Sequence, residues 1–208
     1  MNEHERIGQA SPPAYDIGVI HGRFQVLHND HLRYLLAGKA CCRHLVVGVT
    51  NPDPSLSADV DMDRKRSSPL ANPLTYYERL VIIRDVLQDA GLASSEITVV
   101  PLPITHPQLY RHYVPLDAVF LLSIYDDWGR RKLEQFQGLK LKTHVLWEVS
   151  PDQKGLSASE VRQAMIDGRS WEHLVPPATA RHCRAWGIPA RLRALHAQTG
   201  GLEAMGRT

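Results

Sequence analysis

The sequence predicts an α/β fold: a parallel five-stranded sheet with helices on both faces and a helical segment at the C-terminal end. Three observations carry this. Short apolar runs alternate with segments of helical period, the order that strand–helix–strand units require. The runs are apolar at consecutive positions, as strands buried on both faces are. A chain of 208 residues with 43% hydrophobic content is long enough for one domain with a sizeable core.

The first strand reads over residues 17–21 and runs into a turn at Gly22. The helix that follows, over 31–40, carries Leu32, Leu35, Leu36 and Ala40 at helical spacing. A second strand is predicted at 45–50. The helix over 75–90 has the clearest signals: Thr75 and Glu78 form a capping box, Leu80, Ile83, Val86 and Leu87 make the apolar stripe, and Gly91 is the stop. Further strands read at 97–101, 118–123 and 143–148, with a helix of weaker pattern over 126–137 between the last two. Ser157 and Glu160 form another capping box that opens a helix. Helices over 178–186 and 189–198 make up the C-terminal segment, 178–198.

The domain is expected to span 15–198. Residues 1–14 read as a flexible tail and 199–208 as a frayed one. Residues 51–72, rich in Pro, Ser and Asp with Arg64-Lys65-Arg66, lack any apolar period and read as a mobile loop, a lid over a site or an insertion. The polar N-terminal segment lacks the apolar core of a signal peptide, and no apolar run approaches the ~20 residues that span a membrane. A cytoplasmic protein with no membrane partner is expected. With 24 Lys and Arg against 22 Asp and Glu, the net charge of +2 is spread along the chain, so a nucleic-acid partner is not expected either. Cys41, Cys42 and Cys183 have no metal-ligand spacing and read as reduced, small hydrophobes.

The chemistry concentrates in two places. In the first, strand 17–21 leads through Gly22-Arg23-Phe24-Gln25 to His28 and His31 at a helix start. A turn and a helix N-terminus leave N–H groups unpaired, and the helix dipole favours negative charge there, so this layout suits phosphate. Two imidazoles three positions apart can reach one anion together. In the second, Leu156-Ser157-Ala158-Ser159-Glu160-Val161-Arg162 puts a hydroxyl and a planar donor fork in the first turns of a helix. Simpler readings stand beside these: a surface His28, a helix-start His31, a Ser157 that merely caps, an Arg162 in a surface ion pair.

The pair GRFQVLHNDH and LSASEVR resembles the HxGH and ISxTxxR signatures of the nucleotidyltransferase superfamily, and most of all the archaeal-type nicotinamide-nucleotide adenylyltransferases. The likeness runs through Asn72-Pro73-Leu74-Thr75-Tyr76-Tyr77-Glu78-Arg79 and through Trp171 to Pro177, covering roughly 16–186. The resemblance implies a Rossmann-like nucleotidyltransferase fold and transfer of AMP from ATP to nicotinamide or nicotinate mononucleotide, with pyrophosphate released. His28, His31 and Arg162 would be catalytic. Gly22, Arg23, Phe24, Gln25, Ser157 and Ser159 would line the ATP site with them. Mg2+ would arrive with ATP, keeping most of its waters. For the acceptor, Tyr110 stands where the family's stacking tryptophan would, with Trp128 and Trp147 as further stacking candidates. Arg79 is a substrate contact or a brace for its own helix. Tyr110 reads equally as a core aromatic at a helix seam. A homo-oligomer is left open.

The chain departs from the family pattern at Asp30, where HxGH has glycine, at Leu122-Ser123-Ile124-Tyr125 in place of Ser-Gly-Asn, and at Ala71 in place of arginine. Asp30 is expected to cap the helix beginning near His31, as aspartate readily does. Other readings are a transferase using CTP or another phosphate acceptor (cytidylyl, FMN or phosphopantetheine type), a catalytically weak nucleotide sensor, and a metal hydrolase with His28, Asp30 and His31 as ligands.

Overall fold

The computed structural model describes residues 13–53, 68–150 and 155–205. Its strands are β1 (Tyr15–Gly22), β2 (Cys42–Thr50), β3 (Ile97–Leu102), β4 (Val119–Ile124) and β5 (Lys142–Glu148). All pair in parallel, in the order β3-β2-β1-β4-β5. The α/β expectation holds, and each strand lies within three residues of its predicted start. The chain builds outward from β1 to β3, then returns to the other side of β1 with β4. That reversal leaves a crevice at the carboxyl ends of β1 and β4, where open parallel sheets bind ligands.

The helices are α1 (Asn29–Cys41), α2 (Tyr76–Asp89), α3 (Asp127–Gly138), α4 (Ala158–Ile166), α5 (Pro177–Ala185) and α6 (Ile188–Met205). Side chains alternate across β1, so Ile20 packs under α1, α2 and α4–α6, whereas Val19 faces Phe120, Phe136 and Tyr110 on the other side. The larger core layer thus lies under five helices. The smaller lies under α3 and the 3-10 turn Pro107–His112.

Two boundaries differ from expectation. Helix α1 starts at Asn29 rather than residue 31, with His28 as its N-cap, so both histidines belong to the helix start. Helix α6 runs on to Met205 through Gly200 and Gly201, where a frayed tail was expected. Glycine lowers helix propensity by about 1 kcal/mol without forbidding the conformation, and the neighbouring Leu, Glu, Ala and Met favour it. Residues 1–12 of the expected N-terminal tail, 54–67 of the expected loop and 206–208 lie outside the described residues. Among the described residues no helix is long and apolar enough to cross a membrane. The three cysteines are free, with Cys42 and Cys183 buried.

Candidate active site

The site is built on the turn after β1. Gly22 has no room for a side chain, because a Cβ there would meet the Phe24 ring at 2.8 Å. Phe24 itself holds φ at 53°, a left-handed conformation that costs a non-glycine residue of order 1 kcal/mol and recurs at ligand sites. Its ring is buried and meets the His31 ring edge-on at 5.1 Å. Gln25, also buried, pairs amide to backbone with Leu74: Nε2 donates to Leu74 O at 2.8 Å, and Oε1 accepts from Leu74 N at 2.9 Å. That pair of hydrogen bonds ties the turn to the segment that starts α2.

His28 and His31 stack face to face, with ring centroids 3.7 Å apart. The His28 N–H donates to His31 Nδ1 at 3.4 Å, which leaves the His31 proton on Nε2 when the ring is neutral. His28 is buried and its Nδ1 has no hydrogen-bond partner. Burial lowers the His28 pKa to about 4, against the smaller pull of Asp30 and Glu160. Burial, the neighbouring His28 and Arg23 hold His31 well below its ordinary value, against an opposing bond to Val26. Both rings are therefore neutral at pH 7, each carrying one ring N–H.

Arg162 joins the two motifs. Its Nη1 donates to the Gln25 carbonyl and its Nη2 to Ser159 Oγ at 3.0 Å, with the side chain only 8% exposed. Burial and then the charge of Arg23 lower its pKa to about 10. Ser157 caps α4 as predicted: Oγ accepts from Glu160 N at 3.3 Å, and Glu160 Oε2 accepts from Ser157 N at 2.8 Å. Two helix N-termini, two neutral imidazoles, Arg23 and Arg162 thus converge after β1. The Arg23 charge is felt at both Arg162 and His31.

Two expected substrate contacts are placed otherwise. Arg79 is 2% exposed, and its guanidinium donates to four backbone carbonyls: Thr75 at 3.2 Å, Arg23 at 3.0 Å, Thr50 at 2.7 Å and Asn51 at 2.8 Å. It clips the β1 turn, the end of β2 and α2 together, which is the brace rather than the contact. Tyr110 is 1% exposed and its hydroxyl donates to Ile104 O at 2.6 Å, so its ring fills the smaller core and is not open to stacking. Trp128, on the first turn of α3, is 46% exposed and keeps an accessible face.

Asp30 does not cap α1. It lies in the first turn, one residue past the helix start, with its carboxylate against Gly155 in the approach to α4; a Cβ on Gly155 would collide with it. Among the described residues no group of three or more His, Cys, Asp or Glu side chains converges as a metal ion requires.

At the carboxyl ends of β4 and β5 an open cavity of about 370 Å³ is lined by Tyr125, Asp126, Asp127, Arg130 and Glu148. Trp147, on β5, donates its indole N–H to Tyr125 at 2.6 Å behind this cavity. Sequence reasoning missed three features near the site: the Gln25 side chain as a lock on Leu74, and the burial of His21 and of Lys132. The signal for Lys132 was present, since Trp128, Lys132 and Phe136 recur every four residues on one helix face.

The buried histidines make stability pH-dependent. His21 and His28 have folded pKa values of about 3 and about 4, below the ordinary 6.5. The unfolded chain binds protons that the native state refuses. Their contribution is therefore complete above pH 6.5 and lost as pH falls towards 4, by about 3 kcal/mol for His28 alone. Urea unfolding at steps from pH 7.5 to 4.5 should show this fall, reduced in His28→Asn; equal stability across the range would contradict it.

The turn after β1 and the starts of α1 and α4, joined through Arg162, define an α/β domain of nucleotidyltransferase type. The chain belongs to the nucleotidyltransferase family. It is 46% identical over 177 residues, 85% of this chain and 95% of the relative, to the phosphonoformate cytidylyltransferase of Streptomyces viridochromogenes. It is 27% identical over 174 residues, 80% of this chain and 81% of the relative, to the nicotinamide-nucleotide adenylyltransferase of Thermococcus kodakarensis. The fold matches a bifunctional NMN adenylyltransferase/ADP ribose pyrophosphatase from Francisella tularensis at a TM-score of 0.62 and 17% identity, covering 92% of this chain and 56% of that one. No family model matches the sequence.

Proposed function

We propose that this protein transfers a cytidylyl group from CTP to a small phosphonate or phosphate acceptor and releases pyrophosphate. The observation that carries this reading is the 46% likeness to a phosphonoformate cytidylyltransferase along nearly its whole length. The burial of Tyr110 supports it, because the aromatic expected to stack on a pyridine ring is closed into the core.

In the proposed reaction an acceptor oxygen attacks the α-phosphorus. The new P–O bond forms as the bond to the β-phosphate breaks, and the electron pair leaves with pyrophosphate. The acceptor is already an anion near neutral pH, so the site needs position and charge neutralisation more than a base. The N–H groups of His28 and His31 would meet the charge that builds on the leaving group, with Arg162 and the α4 N-terminus holding the terminal phosphates beside Arg23. Mg2+ would neutralise the triphosphate, held by its oxygens and by water, with the Asp30 carboxylate in the first turn of α1 as the nearby acid. The cavity beside β4 and β5 would take the base.

Adenylyl transfer to nicotinamide or nicotinate mononucleotide is the second reading, favoured by the Thermococcus relative and by the accessible face of Trp128. A pyrophosphate-release panel separates the two. CTP and ATP are each crossed with phosphonoformate, nicotinamide and nicotinate mononucleotides, FMN and phosphopantetheine. Release with CTP and phosphonoformate is expected; release confined to ATP with a mononucleotide would replace the first reading by the second.

A further inference from the structure

Most buried polar side chains among the described residues have an evident task. Gln25 locks Leu74, Arg79 clips three segments, Arg162 joins the motifs, and His28 opens the phosphate cradle. Of the rest, Thr50 and Thr179 are small hydroxyls, and His21 and Lys132 are the titratable pair. His21 is the penultimate residue of β1, immediately before Gly22, and points to the opposite face of the sheet from α1. It is 8% exposed, its ring meets Phe136 edge-on at 5.3 Å, and its Nδ1 is buried with no hydrogen-bond partner. Lys132, on α3, is also 8% exposed. Its ammonium lies 6.0 Å from the centre of the same Phe136 ring and 4.9 Å from that of Trp128. It donates to the neutral Gln135 amide at 3.0 Å, and its charge is felt at His21.

A buried ammonium with an amide and two aromatic faces for company is a poor structural element. Its charge has left water without meeting a carboxylate, and burial lowers its pKa to about 8. A hydrophobic side chain would serve the core better. The orphaned Nδ1 of His21 beside it has the same character. Two donors that gain from an anion lie together at the carboxyl end of β1, about 3.3 Å along the strand from the turn that opens the phosphate cradle.

We propose that His21 and Lys132 form a recess for the small anionic end of the acceptor, a carboxylate or a phosphonate, with Trp128 as its cover. The inference rests on the transferase reading and adds to it the element that selects the acceptor. An anion there is held by Lys132 from α3 and by the His21 imidazole from β1. Its reacting end faces the cradle on the other side of Gly22. The recess suits a compact anion, because its polar groups are the Lys132 ammonium and the His21 imidazole.

Calorimetry with phosphonoformate and with inorganic phosphate, in the presence of a non-hydrolysable CTP analogue, tests this. Lys132→Met should weaken phosphonoformate binding about thirtyfold and His21→Leu about tenfold, with Lys132→Arg recovering part of the loss. Binding of the CTP analogue should change less than about twofold, because neither side chain lies in the cradle. The melting temperature of Lys132→Met should equal or exceed that of the wild type, since a buried charge is removed. Wild-type affinity in Lys132→Met, or a wild-type protein that binds neither anion, overturns the recess. If the panel finds CMP transfer to an acceptor whose KM ignores Lys132→Met, the recess fails and the transferase reading stands. If both variants lose the anion but only ATP serves as donor, the recess stands and the donor assignment fails.

Discussion

Arg162→Ala should lower kcat/KM for the nucleotide by about a thousandfold, the largest loss expected of any single replacement. Two effects combine. The charge and donor fork vanish from the proposed path of the terminal phosphates, and the bond from Arg162 to the Gln25 carbonyl, which joins the two motifs, is broken. Arg162→Lys should recover little, because an ammonium cannot bridge the Gln25 carbonyl, Ser159 and a phosphate in one plane. His31→Ala should instead lower kcat with little change in acceptor KM, since the charge its N–H meets grows mainly in the transition state. Steady-state pyrophosphate release with intact circular dichroism is the measurement, and near-wild-type turnover in either variant removes that residue from the mechanism.

Arg79→Met should unfold the protein at a temperature about 10 °C lower, from a loss of about 3–5 kcal/mol. The guanidinium is buried and serves four carbonyls on three segments. Methionine fills the volume but leaves the Arg23, Thr50 and Asn51 carbonyls buried or turned towards apolar atoms. The β1 turn would loosen with the end of β2, so activity falls as a consequence of disorder in the cradle. Thermal unfolding followed by circular dichroism decides it. An unchanged melting temperature with a raised acceptor KM would return Arg79 to the substrate.

The structure also revises the meaning of Asp30. With His28 as N-cap, the carboxylate is free of capping and lies where a side chain on Gly155 would fall, beside the approach to the second motif. The family glycine would let the backbone approach the nucleotide. Here that position carries an acid beside the turn instead.

The sequence alone determined the sheet, the order of its elements and the two helix starts that carry the motifs. Each depends on local signals: apolar runs, capping boxes at Thr75 and Ser157, a glycine turn after a strand. Periodicity and caps act over a few residues, so they survive in the linear text. The roles of long polar side chains did not. Arg79 and Tyr110 sit in family-like segments and read as ligand contacts, but burial spends the first on four carbonyls and the second on Ile104. Gln25 meets Leu74 across 49 residues, Arg162 meets Gln25 across 137, and His21 and Lys132 come together on separate elements. Such meetings depend on which face of a strand or helix turns inward and which segments cross above it. Only tertiary packing decides that, because the energy that fixes these side chains comes from partners far away in the chain.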